Sequence, residues 1–225
     1  MKLLALETAT EACSVALWLD GDCRERYQVA PRAHAELILP MAEELLTEAG
    51  LTLSDLQGVA FGCGPGAFTG VRVATAVAQA LAFGADLPVI PVSTLATLAR
   101  GAFRVAGVSR ILTAIDARMG EVYWAAFGLD QGLPTLHGDE LVVSPNRVPA
   151  VDAGEWVAVG SGWSVHGDGL RAGLGPGVSV RHLDQPAYPA AKDLAVLAEA
   201  GLRTGAGIDP ALAQPRYLRE RVVQP

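Results

Sequence analysis

The predicted fold depends on one stretch, which reads Gly62-Cys63-Gly64-Pro65-Gly66-Ala67-Phe68-Thr69-Gly70-Val71-Arg72. An apolar strand over 58–61 precedes it, and an Ala- and Val-rich helical run over 71–84 follows it. A strand, a glycine-rich turn and a helix start leave backbone N–H groups that can face an anion. Glycine also permits positive φ and close approach of another surface to the backbone.

Neither common phosphate-binding pattern fits this glycine loop. A Walker loop has two glycines five positions apart, then Lys and Ser or Thr, but Pro65 stands five positions before Gly70 and no lysine follows. The dinucleotide pattern fails because Thr69 stands at the third position after Gly66. Three interpretations remain: a structural turn or protein contact, which is favoured, a degenerate nucleotide site, and a working phosphate cradle.

Composition limits the classes of function. The chain has 225 residues, 51% of them hydrophobic and 18% charged, which suffices for one large or two small domains. Because few residues are charged, we expect apolar surface that a partner would cover. The net charge of −7 argues against independent tight binding of nucleic acid. No secretory signal and no membrane-length apolar run are evident, so a cytoplasmic location is expected.

The first thirty residues predict three strands joined by a polar turn and a hairpin. Asp20-Gly21 is a strong two-residue hairpin signal. Its register places Cys13 opposite Gln28 and Cys23 opposite Trp18, so the two cysteines do not face each other. We therefore expect the cysteines to be reduced. The predicted strands cover residues 2–6, 14–19 and 23–30.

The polar turn over 7–11 carries a carboxylate and hydroxyl groups directly after the first strand. A strand, an acid–hydroxyl turn and a hairpin resemble the opening of the actin-like ATPase and sugar-kinase superfamily, in which the acid positions Mg²⁺. Glu7, Thr8 and Thr10 would then be the remnant of a nucleotide loop. The alternative, which is favoured, is that these side chains cap the turn.

Two helices with excess apolar surface are predicted on either side of the strand at 58–61. In the first, over 34–49, apolar residues recur every three or four positions, and Pro40 suggests that regular helix begins near it. The second, over 71–84, is small and apolar almost all round. His34 is not expected to bind metal, because Ile38 occupies the i+4 position. The two helices together form a plausible dimerisation patch.

A second lobe is predicted after a connector at 101–108. We divide the chain into an N-terminal ribonuclease-H-like lobe, 1–104, and a smaller C-terminal lobe, 105–225, with a final helix over 189–203. The charged turn with Asp116, Arg118 and Glu121 is either an acid/base constellation or, preferably, an ion cluster that sets a hairpin. The Gly160–Gly162 turn either contacts adenosine or packs at a strand end. The basic tail over 215–221 is either solvated or a docking segment.

The chain resembles the TsaB (YeaZ) family along nearly its whole length. The resemblance rests on six segments: 8–17, the helix start with His34 and Glu36, the glycine loop 64–72, Val92-Ser93-Thr94-Leu95, 115–123 and 216–219. Among these, the loop pattern GPG-x-FTG-x-R is the most specific. The sequence differs from the family pattern in having Glu7 in place of Asp and Ala9, Ala35 and Ala67 in place of Ser.

The resemblance implies an α/β protein with the actin-like ATPase (ribonuclease-H-like) fold, in which each of two lobes has a mixed sheet flanked by helices. It also implies a cytoplasmic scaffold without catalytic residues, metal or cofactor of its own. Its expected partners are the paralogue TsaD, the ATPase TsaE and a second copy of the chain. The complex places a threonylcarbamoyl group on N6 of adenosine 37 in ANN-decoding tRNAs, so tRNA would be bound only indirectly.

The family's pairing surface is the bundle of the first two helices, and this agrees with the apolar excess noted above. The expected interface residues are His34, Glu36, Leu37, Met41, Leu45, Gly66, Phe68, Thr69, Gly70, Val71, Arg72, Ala74, Thr75, Val77 and Ala78. Two other functions remain as alternatives. One is an ATP-dependent small-molecule kinase that uses Glu7 for Mg²⁺ and the Gly160–Gly162 turn for adenosine. The other is a metalloprotease, for which the ligands are missing.

Overall fold

A computed structural model describes residues 1–185 and 187–219. The chain divides into two compact units. Of the described residues, the first unit contains 1–97 and 189–216, and the second contains 98–185, 187–188 and 217–219. Among the described residues, no helix is both long and apolar enough to cross a bilayer.

The first unit is built on a five-stranded mixed sheet in the order β3-β2-β1-β4-β5. Strands β1, β2 and β3 are antiparallel, whereas β4 and β5 continue the sheet parallel to β1. The predicted hairpin register is confirmed: Cys13 pairs with Gln28 and Trp18 with Cys23, and all three cysteines are free thiols. The strands are β1 (Lys2–Glu7), β2 (Ala12–Leu19), β3 (Asp22–Val29), β4 (Gly58–Gly64) and β5 (Val89–Ser93).

Helices α1 (His34–Ala49) and α2 (Phe68–Gly84) cover one face of this sheet. Side chains alternate along β1, so Leu4 and Leu6 face these helices while Leu3 and Ala5 face the other side. Helix α1 begins at His34 and not near Pro40, contrary to the sequence prediction. Pro40 lies on the exposed side of the helix, where the missing hydrogen bond leaves a carbonyl that water can satisfy.

Helix α5 (Ala191–Arg203) covers the opposite face of the first sheet. Its residues Ala191, Leu194, Ala195 and Ala198 are buried against β1, β2 and β4. The sequence-based division placed this final helix in the C-terminal lobe, and the structure differs from it. Chain order alone could not reveal that an apolar face near the C-terminus complements the sheet formed by the N-terminus.

The second unit repeats the strand arrangement of the first. Its sheet has the order β10-β9-β6-β7-β8, with β6, β7 and β8 antiparallel and β9 and β10 parallel to β6. A buried cluster that includes Leu112, Trp124, Trp156 and Trp163 forms its core. The strands are β6 (Arg110–Arg118), β7 (Glu121–Asp130), β8 (Leu133–Val143), β9 (Gly154–Val159) and β10 (Val178–His182).

Three elements differ from the sequence expectations. Helix α3 (Thr94–Ala106) continues through most of the segment predicted as a connector. Helix α4 (Ser161–Gly173) and strand β10 were not predicted. Four glycines within α4 obscure its helical pattern, and β10 is only partly buried and has mixed polarity.

The start of α5 is attached to the β2–β3 hairpin by one carboxylate. Glu25 Oε1 accepts hydrogen bonds from Ser14 Oγ at 2.9 Å and from the backbone N–H of Lys192 at 3.1 Å. Its second oxygen lies 2.9 Å from Lys192 Nζ. Ser14 Oγ in turn accepts from the backbone N–H of Ala191 at 2.9 Å. Two unpaired N–H groups at the helix start are thereby satisfied by side chains distant in sequence.

We expect Glu25→Ala to lower the free energy of unfolding by about 1–3 kcal/mol, because several partly buried hydrogen bonds to a charged group are lost. Glu44→Ala is the matched control, since Glu44 is exposed and only forms a surface ion pair with Arg26 at 3.1 Å. That change should cost less than about 1 kcal/mol. Urea denaturation of both variants gives the comparison, and an equal loss in the two would contradict the attachment.

Candidate nucleotide loop and partner surface

The glycine loop is closed against the polar turn that follows β1. The backbone N–H of Ala67 donates to Ala9 O at 2.8 Å. On the other side of the loop, Thr8 Oγ1 donates to Gly70 O at 2.8 Å. These two bonds join the turn directly to the loop and to the start of α2.

Glycine is required at two loop positions because the turn approaches so closely. A Cβ atom at Gly66 would lie 2.3 Å from Ala9 O, and one at Gly70 would lie 2.0 Å from Thr8 O. Both distances are far shorter than any real carbon–oxygen contact. These glycines therefore accommodate backbone of the same chain, and their presence does not require a ligand.

The C-terminal segment of the first unit contacts the other end of the loop. Residues 208 and 89 exchange two backbone hydrogen bonds of 2.9 Å along the outer edge of β5. Further on, the backbone N–H of Arg216 donates to Cys63 O at 2.7 Å. Gly64 adopts a φ of +107°, and a Cβ there would lie 2.9 Å from Arg216 O. The loop is thus held by chain segments from both ends of the sequence.

Glu7 lies at the end of β1 beneath the turn and is fully buried. Its Oε1 accepts from the backbone N–H of Ala9 at 2.7 Å. Its Oε2 has no hydrogen-bond partner among the described residues, and a Cβ on Gly62 would lie 2.2 Å from it. Burial raises the pKa of Glu7 from 4.5 to about 7. The raised pKa identifies Glu7 as a carboxyl group that the fold keeps out of water.

The surroundings of Glu7 do not fit a Mg²⁺ ion. Such an ion needs about six oxygen ligands in octahedral arrangement and keeps several waters. The carboxylate of Glu7 instead faces the backbone of Gly62 with no room for a methyl group. In the part of the chain that the structure describes, no group of three His, Cys, Asp or Glu side chains is placed to hold a metal ion.

Many of the expected interface residues are sealed in the core of the first unit. Leu45, Ala74 and Ala78 have no exposed surface, and Met41 and Val71 are nearly as buried. Gly70 and Thr75 are also buried, and Thr75 Oγ1 donates to Val71 O. These seven residues therefore expose little or no surface in the first unit. Sequence periodicity identified the apolar face of each helix but could not distinguish the side that meets the sheet from the side that remains open.

The remaining expected residues lie at the surface or near it. Phe68, Thr69, Arg72 and Glu36 are exposed. His34, Leu37, Gly66 and Val77 are half-buried. The His34 ring nitrogen Nε2 is buried without a hydrogen-bond partner among the described residues.

The open face of α2 is a strip of small residues between two aromatic rings. We define the α2 face as Thr69, Arg72, Ala76, Ala80, Phe83 and Gly84, together with Phe68 at its start; all seven are exposed. Phe68 and Phe83 are 57% and 78% exposed and stand about 22 Å apart along the helix axis. The guanidinium of Arg72 lies 3.2 Å from the centre of the Phe68 ring. Ala76, Ala80 and Phe83 were not among the expected interface residues, although their helical spacing from Phe68 and Thr69 places them on the same face.

In the second unit, two of the three residues of the predicted ion cluster pair at the β6–β7 hairpin. Asp116 accepts from the backbone N–H of Arg118 and pairs with its guanidinium, both at 3.0 Å. It also lies 3.4 Å from His166 Nε2, a neighbour that the sequence did not suggest. Glu121 does not join this cluster in the structure, and its carboxylate pairs with Arg219 at 2.5 Å.

The Gly160–Gly162 turn packs against β6. A Cβ at Gly160 would lie 2.4 Å from Ala114 O, and one at Gly162 would lie 2.9 Å from the carbonyl carbon of Ala114. Trp163, which follows the turn, is buried and donates from its indole N–H to Leu112 O at 3.0 Å. Contact with the neighbouring strand accounts for both glycines without a ligand.

Two repeated mixed sheets with flanking helices define an actin-like α/β protein whose first glycine loop is closed by its own backbone. Comparison with known proteins places the chain more narrowly. The family model for TsaD, a tRNA N6-adenosine threonylcarbamoyltransferase, matches residues 28–153. The Escherichia coli tRNA threonylcarbamoyladenosine biosynthesis protein TsaB is 45% identical over 99% of this chain and 96% of its own length.

Structural comparison agrees with this placement. YeaZ from Pseudomonas aeruginosa superposes with a TM-score of 0.88 at 45% identity, covering 96% of this chain and 99% of that one. A second Pseudomonas aeruginosa structure, described as similar to the peptidase YeaZ, gives a TM-score of 0.89 at 46% identity over 97% of this chain and 99% of that one. The chain belongs to the TsaD-related proteins and, among them, to the TsaB (YeaZ) family.

The contact between turn and loop predicts opposite outcomes for two glycines of the same helix. We expect Gly70→Ala to destabilise the first unit by roughly 2 kcal/mol or more, because the added methyl group collides with backbone. Gly84→Ala meets no atom within 4 Å and should leave stability unchanged or raise it by up to about 1 kcal/mol. Denaturant unfolding of both variants tests this, and a tolerated Gly70→Ala would show that the contact is loose.

Proposed function

We propose that this chain is a non-catalytic scaffold that binds and activates a TsaD subunit, with TsaE, for N6-threonylcarbamoylation of adenosine 37 in ANN-decoding tRNAs. The observation that carries the proposal is the open α2 face beside a glycine loop filled by its own chain. The names of its relatives, which are threonylcarbamoyladenosine biosynthesis proteins, support the pathway. A cytoplasmic location follows from this role.

The α2 face suits a partner helix. Side chains as small as Ala76 and Ala80 let a second helix approach to about 8 Å between axes. An exposed aromatic ring at each end supplies the kind of large apolar anchor that dominates binding energy at interfaces. Leaving two such rings in water is unfavourable for an isolated chain, so the face favours association. In the absence of TsaD, a second copy of the chain would cover it as a homodimer.

The sealed residues of α1 and α2 have a supporting role in this proposal. Leu45, Ala74 and Ala78 anchor both helices to the first sheet, which fixes the α2 face before a partner arrives. Arg72 and Glu36 are exposed near the start of the two helices and would orient polar contacts at the edge of the interface. Preorganisation of this kind reduces the cost of binding.

The alternative functions have less support. A small-molecule kinase would need Glu7 to position Mg²⁺, but this carboxylate is buried beneath Gly62. A metalloprotease would need a group of ligands that the described residues do not form. Because the chain has a net charge of −7, we expect a partner subunit, and not this chain, to bind the tRNA directly.

Substitution on the α2 face tests the proposed interface. We expect Ala76→Glu or Ala80→Glu to weaken binding to TsaD by roughly thirtyfold or more, since a carboxylate buried without a partner costs about 2 kcal/mol at least. The fold should be preserved because both positions are exposed. Calorimetry with purified TsaD gives the affinity, and circular dichroism checks the fold.

Ala172→Glu is the control, because Ala172 is exposed on α4 of the second unit and receives the same change. It should bind TsaD as the unaltered chain does. Ala78→Glu is unsuitable, since Ala78 has no exposed surface and the charge would disrupt the core. If Ala76→Glu and Ala80→Glu both bind TsaD at unaltered strength, the α2 face is not the interface.

A further inference from the structure

Glu7 is the most unusual group in the first unit, and the proposed function makes no use of it. Its side chain is fully buried, and one carboxyl oxygen has no hydrogen-bond partner among the described residues. An ionised carboxylate in such a place would lack both water and a compensating cation. The cost of a buried unpaired charge is large enough that the group normally becomes neutral instead.

Glu7 Oε2 is enclosed by protein and shielded from solvent. A methyl carbon on Gly62 would lie only 2.2 Å away, so the backbone of β4 packs directly against this oxygen. We propose that Glu7 is held as a neutral acid while the Thr8–Ala9 turn is closed on the glycine loop, and that loss of its proton opens this contact.

The path from the carboxyl group to the loop is short. Glu7 Oε1 accepts from the N–H of Ala9 at 2.7 Å, and Ala9 O accepts from the N–H of Ala67 at 2.8 Å. Thr8, next to Glu7 in the chain, donates a hydrogen bond from Oγ1 to Gly70 O at 2.8 Å. In the proposed open state the carboxylate reaches water by displacing Ala9 and Thr8, which breaks both bonds to the loop. Phe68, the first residue of α2, lies between the two bonded loop positions.

None of the neighbouring groups named below ionises near neutral pH, so Glu7 is the group among them whose charge changes there. On β2, the Cys13 thiol interacts with it electrostatically, but burial together with the charge of Glu7 raises the pKa of that thiol to about 11. The close neighbour on β4 is Gly62, and those on the turn and α2 are Thr8, Ala9 and Gly70, none of which ionises. Thr10 contributes a buried hydroxyl, which is also uncharged.

The direction of the pH effect follows from the raised pKa. Burial raises the pKa of Glu7 from 4.5 to about 7, so the closed state binds the proton more tightly than an open state in which water reaches the carboxyl group. The closed contact is therefore most stable below the ordinary pKa, weakens as pH rises through about 7, and is weakest above it. The population in which the contact is open should increase about tenfold from pH 6 to pH 8.

Amide hydrogen exchange of the isolated chain measures this opening directly. Exchange at Ala67, divided by its intrinsic rate at each pH, should rise about tenfold between pH 6 and pH 8. The amide of Ala60, within β4, reports global unfolding, which also exposes Glu7. At each pH it should therefore exchange much more slowly than Ala67, and equal protection of the two amides would mean that only global unfolding is observed. Glu7→Gln keeps the acceptor for Ala9 but cannot ionise, so its normalised exchange at Ala67 should not vary with pH. Glu43→Gln, an exposed carboxyl on α1, should behave as the unaltered chain.

A second measurement does not depend on any variant. Carbon-13 NMR of the Glu7 carboxyl group should show titration near neutral pH, well above the ordinary range of glutamate. Titration below pH 5 would overturn the proposal, and so would equal pH dependence of Ala67 exchange in Glu7→Gln and the unaltered chain. Both readouts use the chain alone, so their outcome is independent of whether TsaD binds the α2 face.

Discussion

The first unit depends on the backbone contact between the turn at Thr8–Ala9 and the loop at Gly66–Gly70. Two hydrogen bonds join the segments. The segments can come this close because Gly66 and Gly70 have no Cβ atom, and any other residue at these positions would collide with the turn. The contact fixes the end of β1, the start of α2 and the burial of Glu7 together. A phosphate loop needs open backbone N–H groups to receive its ligand, whereas here the backbone of the loop is occupied by a packing contact within the chain.

In the second unit, glycines also pack closely against neighbouring backbone. Its strand order matches that of the first, and its strand-end glycines at Gly160 and Gly162 pack on Ala114 just as Gly66 and Gly70 pack on the turn. In both units, glycines that resemble ligand-binding positions in the sequence serve close approach of backbone. Glycine content therefore indicates where the chain packs tightly, and the neighbouring segment decides whether a ligand or the protein occupies the space.

Local patterns predicted the elements that depend on local chemistry. The Asp20-Gly21 hairpin gave the correct register of β2 and β3, and Gly50 ends α1 with a φ of 65° as a C-terminal glycine should. Contacts between distant segments were not predictable in this way. The attachment of α5 through Glu25 and Ser14, the contact of Arg216 with Cys63 and the neighbour His166 beside Asp116 all join residues whose spacing carries no signal.

The same distinction explains why about half of the expected interface residues are buried in the first unit while the others remain open. Val71, Ala74 and Ala78 share an apolar face that the sheet buries, whereas Ala76, Ala80 and Phe83 lie on the side that the sheet leaves open. A helix that is apolar all round can pack against its own sheet on one side and another surface on the other. Sequence periodicity alone does not show which side faces the sheet. Burial in the chain's own core makes that assignment. Burial therefore narrows the surface that is open to a partner. What remains is a strip of small side chains between Phe68 and Phe83, and the closed glycine loop holds the start of this strip in position.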